Sequence, residues 1–176
     1  MAQYYYTLAT LPALDLDERP FFTWEAFLDQ CERFVTEDDL ASLRELRFDA
    51  GCSDPRLADW SAALGDLQAA KAAVRAAELG WDGPKEQPNP RSIERLRQAR
   101  SEDDPLKSET SYLRAVWYIA DQLAVGNYFG FRALASYGIR LQIAAYLARA
   151  KDAAAGATAF DEQYTHVAKQ LLELQS

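Results

Sequence analysis

Apolar residues recur at helical spacing along most of the chain, and residues that begin and end helices divide this pattern into segments. Thr23 is a typical N-cap, and Phe22 and Phe27 around it have the spacing of a hydrophobic staple. The pattern predicts a helix over 24–35 that buries Trp24, Phe27, Leu28 and Phe34. Thr36 with Asp39 resembles a capping box and predicts a second helix, which carries Leu40, Leu43 and Leu46.

The next helix has a strong start at Asp54-Pro55. Asp54 supplies a capping carboxylate, and Pro55 occupies the first helical position, where its missing N–H costs nothing. We expect the helix to continue to Leu79 and to end at Gly80. Its apolar residues recur at three- and four-residue steps: Leu57, Trp60, Leu64, Leu67 and Val74.

Residues 82–90 hold three of the seven prolines and form the clearest linker. A short helix over 93–99 is expected after it. Asp104-Pro105 repeats the Asp-Pro start, and the sequence GNYFG at 126–130 breaks the helix that follows. This helix carries its apolar residues at Leu113, Val116, Trp117, Ala120 and Leu123.

The two ends of the chain show different patterns. A helix is expected over 131–151, and after Gly156 a last helix has apolar residues at heptad spacing: Phe160, Tyr164, Val167, Leu171 and Leu174. The segment from Tyr4 to Leu11 is rich in Tyr, Thr and Leu, but no second clear strand exists to pair with it. We expect it to run extended across a helical core, or to pair with a strand of another chain.

Together these elements predict an all-α fold, an irregular bundle of about five to seven helices arranged as helical hairpins, with an extended N-terminal segment. The length of 176 residues indicates a single helical domain over 1–176, with a possible subdivision at the linker 82–90.

The net charge of −8 lies entirely in the first third of the chain. Residues 1–54 contain 12 acidic and 4 basic residues, whereas residues 55–176 contain 15 of each. An acidic region repels phosphates, which argues against nucleic acid as a partner, and it would steer a basic protein partner. A solvated acidic surface that aids solubility is the simpler explanation.

Composition also predicts the compartment. The N-terminus has no basic region of a secretory signal, and no stretch is apolar enough to insert directly into a membrane. The expected location is the cytoplasm, or the membrane periphery through a complex. There Cys31 and Cys52 should be free thiols.

No catalytic constellation is recognisable. The only histidine is His166, four residues after Glu162, and a metal site needs three or four ligands. No glycine-rich phosphate loop precedes a Lys-Ser/Thr pair, and the acidic clusters stand at helix starts, where they favour the helix dipole. These features predict a protein that is not an enzyme and has no metal or cofactor.

The most unusual feature is the run Tyr4, Tyr5 and Tyr6, which is the candidate partner interface. Aromatic side chains with a polar tip suit protein interfaces. Alternatively, these tyrosines anchor the N-terminus to the bundle. For a different function, the binding of a small anion, the candidate residues are Arg114, Arg132 and Arg140.

The opening Tyr4-Tyr5-Tyr6-x-Leu-Ala-x-Leu-Pro, followed by Phe22-x-x-x-x-Phe27-Leu28 and an acidic helix, resembles a bacterial family of unknown function. Its genes are found within V-type ATPase operons. The sequence YGIRLQI at 137–143 resembles that family's Tyr-Leu-Leu-Lys-Leu-Gln-Ile segment, with Gly138 in place of a leucine, and Gly156 matches a later glycine. The family is distantly similar to the C/d-type subunit of V-type ATPases, the helical socket between the central stalk and the membrane rotor ring.

The resemblance implies a non-catalytic component or accessory of a V-type ATPase that binds its protein subunits. Two alternatives stay open. One is a helical small-ligand-binding protein or enzyme, with a site of Tyr, Arg and carboxylates among its helices. The other is an adaptor unrelated to the ATPase.

Overall fold

A computed structural model describes residues 2–84, 87–100 and 104–173, and the side chains of most of these residues between Tyr4 and Ala157. The described residues form seven α-helices and no strand, which confirms the all-α prediction. The helices are α1 (Ala2–Thr10), α2 (Trp24–Glu32), α3 (Glu37–Glu45), α4 (Ala58–Leu79), α5 (Pro90–Arg100), α6 (Pro105–Gln122) and α7 (Phe131–Glu173), and a 3-10 turn (Pro55–Leu57) precedes α4. In this part of the chain, none of the helices has the length and apolar character that crossing a bilayer requires.

The first half of α7 is the centre of the core. Between Phe131 and Leu147 most residues are buried, and the buried positions lie on all sides of the helix. A helix that is apolar all round must be covered on every side. Helices α1, α2, α3 and α6 all contact α7, and α4 packs against α5 and α6. One cluster of buried side chains therefore includes residues from every helix from α2 through α7.

The predicted caps of α2 and α3 are confirmed. The hydroxyl oxygen of Thr23 accepts the N–H of Ala26, and that of Thr36 accepts the N–H of Asp39. Phe27 is fully buried, but α2 ends at Glu32, three residues before the predicted end. Phe34 therefore lies in the turn after the helix and is exposed, so its predicted burial is wrong.

The Asp-Pro starts and the glycine stops are also confirmed, with one refinement. Asp54 accepts the N–H of Arg56 and Asp104 accepts that of Leu106. The first turn after Asp54 is a 3-10 turn, and α4 proper begins at Ala58. Gly80 ends α4 with a φ of 66°, a left-handed conformation that glycine adopts without steric cost.

The prediction of a linker at 82–90 agrees with the structure, since α5 begins at Pro90. The helix that follows is longer than the expected 93–99. The carboxylate of Asp66 on α4 accepts the N–H of Asn89 at 2.7 Å and the hydroxyl of Ser92 at 2.6 Å. These bonds attach the start of α5 directly to α4.

The prediction of an extended N-terminal segment is wrong, because residues 2–10 form helix α1. Tyr4, Thr7, Leu8 and Leu11 stand three or four residues apart, so a helix places them on one face. Thr7 is fully buried, and the other three pack against the core. This burial outweighs the weak preference of Tyr and Thr for strands. The segment between α1 and α2 contains no helix or strand and consists of bends and irregular chain.

The prediction that Gly156 separates two helices is also wrong, because α7 is one helix of 43 residues that passes through Gly156. Glycine costs about 1 kcal/mol relative to alanine inside a helix, which does not by itself end one. Gly156 lacks the positive φ found at Gly80 and Gly126, and its neighbours on both sides are alanines. The side chains of the predicted heptad from Phe160 to Leu174 lie outside the described residues.

Candidate functional site

The three candidate tyrosines do not face the same way. Tyr4 is half-buried, whereas Tyr5 is 51% exposed and Tyr6 is 62% exposed. Successive residues of a helix point about 100° apart, so a run of three spans more than half of the helix circumference. Both interpretations of the run are therefore needed, the anchor for Tyr4 and the exposed surface for Tyr5 and Tyr6.

Tyr4 joins α1 to a group of charges that consists of two buried carboxylates and one partly exposed arginine. Its hydroxyl donates a hydrogen bond to the carboxylate of Asp39 on α3, which is 3% exposed. Arg56 donates to the same carboxylate and, at 2.6 to 3.2 Å, to both oxygens of Asp54. The Arg56 guanidinium carbon also lies 3.8 Å from the ring centroid of Phe131, at the start of α7. We call Tyr4, Asp39, Asp54 and Arg56 the N-terminal clamp.

The clamp perturbs the pKa of each of its members. Burial, and then the hydrogen bond to Asp39, raise the pKa of Tyr4 to about 12. Burial acts to raise the pKa of Asp39, but hydrogen bonds from Tyr4, Arg56 and Thr36 outweigh it and lower that pKa. Hydrogen bonds from Arg56 lower the pKa of Asp54, and those to Asp54 raise the pKa of Arg56.

These shifts indicate a structural role for the clamp rather than acid–base chemistry. A general base works best with a pKa near the operating pH. The two carboxylates are shifted away from that range, and each already accepts hydrogen bonds from Arg56. The clamp thus holds α1 against α3 and the start of α7, and Tyr4 belongs to it.

The exposed tyrosines belong to a different feature. The ring of Tyr5 lies 5.4 Å from that of Phe129 and 5.8 Å from that of Tyr6. Tyr128, next to Phe129 in the loop between α6 and α7, is also exposed, and both residues are about 60% accessible. We call Tyr5, Tyr6, Tyr128 and Phe129 the aromatic surface. Four large exposed aromatic side chains at the junction of two segments are typical of a protein-binding site.

Only half of this surface, Tyr5 and Tyr6, was predicted from the sequence. The segment GNYFG was interpreted as a helix break, which gives Tyr128 and Phe129 no role in binding. Two adjacent aromatic residues between two glycines were a usable signal, because large aromatic side chains in a loop that a left-handed glycine opens, here Gly126 with a φ of 77°, are often exposed. Their proximity to α1 could not be predicted, since more than 120 residues of chain separate Tyr5 from Phe129.

The segment 137–143, which carries part of the family resemblance, packs other elements onto α7. Tyr137 donates a hydrogen bond to the carbonyl of Pro12 at 2.9 Å. The side-chain amide of Gln142 donates to the carbonyl of Leu46 at 3.0 Å and accepts the N–H of Phe48 at 3.2 Å. These residues therefore secure the chain that follows α1 and the loop that follows α3.

The three arginines proposed for an anion site are not brought together, and each is paired with a carboxylate. The guanidinium nitrogens of Arg114 lie 3.3 Å from Asp17, and those of Arg140 lie 3.1 Å from Asp121. Arg132 pairs with Asp59 and also donates to the backbone carbonyl of Arg56. Their positive charges are already partnered within the protein.

The described residues offer no group of three metal-ligating side chains. The side chains of Glu162 and His166 lie outside the described residues, so the structure does not test that pair. Cys31 and Cys52 are free thiols. Cys31 is buried in the core, and burial raises the pKa of its thiol to about 12, which disfavours the reactive thiolate.

Comparison with known proteins adds no family assignment: no protein-family model, no curated protein and no solved structure matches this chain. The candidate functional site is therefore defined by geometry alone. It is the aromatic surface, and the N-terminal clamp holds the helix α1 that carries two of its residues.

Proposed function

We propose that this protein is a non-catalytic component or accessory of a V-type ATPase that acts by binding other subunits, in the manner of the C/d-type central-stalk subunit. The aromatic surface is the proposed contact. The observation that carries the binding role is the contact of the exposed Tyr5 ring with the exposed rings of Tyr6 and Phe129, next to which the exposed Tyr128 stands in the chain. The identity of the partner rests on the sequence resemblance.

The clamp supports this proposal because it attaches α1, which carries two residues of the surface, to α3. Tyr5 and Tyr6 directly follow Tyr4, whose hydroxyl is held by Asp39. A rigid aromatic side chain loses little conformational entropy on binding, so more of its buried area contributes to affinity. A frayed N-terminus would lose this advantage.

The charge distribution supports a protein partner with a basic surface. The acidic first third of the chain would steer such a partner towards α1 and raise the association rate. The aromatic side chains would then supply the buried contacts that slow dissociation.

The test is capture of partners by the tagged protein from lysate of the native cell, with identification by mass spectrometry. We expect V-type ATPase subunits to be recovered. The double variant Tyr5→Ala/Phe129→Ala should reduce their recovery about tenfold or more, because central aromatic side chains dominate interface energy. Its melting temperature should stay close to that of the wild type, since both side chains are largely exposed.

Trp81→Ala is the matched control, because Trp81 is 68% exposed and follows the end of α4, outside the aromatic surface. It should leave recovery unchanged. If ATPase subunits are present in the lysate but are repeatedly not recovered, the proposed partner is wrong. Recovery of a different defined partner that is lost in the double variant would identify the protein as an unrelated adaptor.

A further inference from the structure

A cleft of about 440 Å³ lies apart from the clamp, between the start of α2, the loop after α3 and one face of α7. Its walls are formed by residues 19–20 and 22–25, by residues 47–48, and by one face of α7. Clefts of roughly 300 to 1,000 Å³ are the usual size of small-molecule sites.

The floor of the cleft is apolar, and two alanines leave it open. Phe22, Trp24 and Phe48 line it together with Leu141. Ala145 and Ala148 stand one and two turns further along the same face of α7, where a larger side chain would fill the space. The backbone beside Phe48 is held by the amide of Gln142, so this wall is fixed.

The charged residues of the cleft are mostly positive, in a chain whose net charge is −8. Arg19, Arg47 and Arg149 line it, against the single carboxylate of Glu25. Arg19 pairs with Asp152. Within the part of the chain described here, Arg47 and Arg149 form no ion pair, in contrast to Arg114, Arg132 and Arg140.

We propose that this cleft binds a small amphipathic anion, namely a carboxylate or sulfonate attached to an aromatic or branched apolar body. The guanidinium groups of Arg47 and Arg149 would pair with the anionic group, for which their planar donor geometry is suited. The apolar body would cover Phe22, Trp24 and Phe48, in the space left by Ala145 and Ala148. The volume of the cleft suits one such molecule, and the positive charge of its arginines is opposite to that of the anion.

The test uses two fluorescent probes that share one aromatic skeleton. 1-Anilinonaphthalene-8-sulfonate carries the anionic group, and N-phenyl-1-naphthylamine lacks it. We expect the sulfonate to bind the wild-type protein at one saturable site, about tenfold more tightly than the neutral probe, since charge-assisted hydrogen bonds add to the apolar contacts. Energy transfer from Trp24, measured against Trp24→Phe, should report that site.

Variants then locate the site. Arg47→Gln/Arg149→Gln should weaken the sulfonate about tenfold and leave the neutral probe unchanged. Ala145→Leu should weaken both probes, because it fills the cleft. Arg33→Gln removes an exposed arginine that does not line the cleft, so it should change neither affinity. Thermal unfolding of each variant verifies that the fold is retained.

Three results would overturn the proposal: equal affinity for the two probes, no effect of the paired arginine substitutions, or unchanged binding in Ala145→Leu. Displacement of the sulfonate by phenylacetate supports a small anion. Displacement only by a peptide rich in Glu and Phe would contradict it and would identify the cleft as a peptide groove. These measurements need no partner subunit, so their failure is distinguishable from failure of the proposed function.

Discussion

At the scale of single residues, the tyrosine run shows how identical neighbours acquire different roles. The hydroxyl of Tyr4 donates a hydrogen bond to a buried carboxylate. The ring contacts of Tyr5, within the described part of the chain, are with the exposed rings of Tyr6 and Phe129. The difference arises from the rotation of about 100° per helical residue, which turns Tyr4 towards α3 and Tyr5 towards the loop after α6.

Removing the hydroxyl of Tyr4 should therefore destabilise the protein. Tyr4→Phe leaves the carboxylate of Asp39 without one hydrogen bond, although Arg56 still contacts it. We expect the free energy of unfolding to fall by about 1–2 kcal/mol. The control Tyr5→Phe removes an exposed hydroxyl and should change it by less than about 0.5 kcal/mol. Urea unfolding at neutral pH measures both.

The same pair of proteins should differ at alkaline pH. The pKa of Tyr4 is raised from 10.0 to about 12 in the folded protein, so its neutral form is favoured by folding. Its contribution to stability is fully present below pH 10 and is lost as the pH rises towards 12. The stability difference between wild type and Tyr4→Phe should shrink over this interval. A constant difference would contradict the assigned hydrogen bond.

At the scale of helices, α7 shows how one small residue permits close packing. Gly138 lies on its buried part, and a Cβ atom placed there would be 3.1 Å from ring atoms of both Trp24 and Phe27. The ring of Phe27 is stacked 5.5 Å from that of Tyr137 and is fully buried, so it cannot easily move away. Gly138 therefore sets the distance between α2 and α7.

Two alanine substitutions separate packing from helix propensity. Glycine to alanine in a helix gains about 1 kcal/mol. Gly65→Ala on α4 should realise this gain, because no atom lies within 4 Å of the added methyl group. Gly138→Ala should instead lower the free energy of unfolding, since overpacking typically costs about 1–3 kcal/mol. Equal stabilisation by both substitutions, measured by urea unfolding, would show that α2 and α7 can move apart.

At the scale of the whole molecule, part of the acidic first third is neutralised by the rest of the chain. Asp39 and Asp54 both pair with Arg56, and Asp17 contacts Arg114 on α6 and Lys151 on α7. The contacts of Asp17 are exposed and contribute little individually. They nevertheless connect the segment between α1 and α2 to α6 and α7, and they reduce the charge that remains to steer a partner.

The carboxylates paired with arginines should make the protein sensitive to acid, and two of them, Asp39 and Asp54, are buried. Burial acts to raise the pKa of Asp39, but hydrogen bonds from Tyr4, Arg56 and Thr36 outweigh it and lower that pKa below 3.8. Hydrogen bonds from Arg56 and Arg132 lower the pKa values of Asp54 and Asp59, with burial opposing. Their stabilisation is present above pH 4 and is lost as the pH falls through the lowered values. In Asp54→Asn the melting temperature should fall less between pH 6 and pH 2 than in the wild type. Asp29→Asn, an exposed substitution on α2, should leave the fall in melting temperature unchanged. Thermal melts from pH 6 to 2 measure both.

Local chemistry allowed much of the fold to be predicted from the sequence. Caps and stops such as Thr23, Thr36, Asp54 and Gly80 act on neighbouring backbone groups, so their effects can be inferred without the tertiary structure. The all-α class and the buried face of α4 follow from the same local periodicity. Tyr5 and Tyr6 could be identified as candidates for the same reason, since aromatic runs are visible in one dimension.

The tertiary structure alone decided everything that depends on contacts between distant segments. The segment from Tyr4 is a helix because Thr7 and Leu8 pack against the core of the protein. Helix α7 passes through Gly156 because the low helix propensity of glycine costs only about 1 kcal/mol. The aromatic surface needed Phe129 beside Tyr5, and the cleft needed arginines from three segments around one face of α7. Such proximity depends on the packing of the whole chain, whereas a sequence pattern reports only what each residue does to its neighbours.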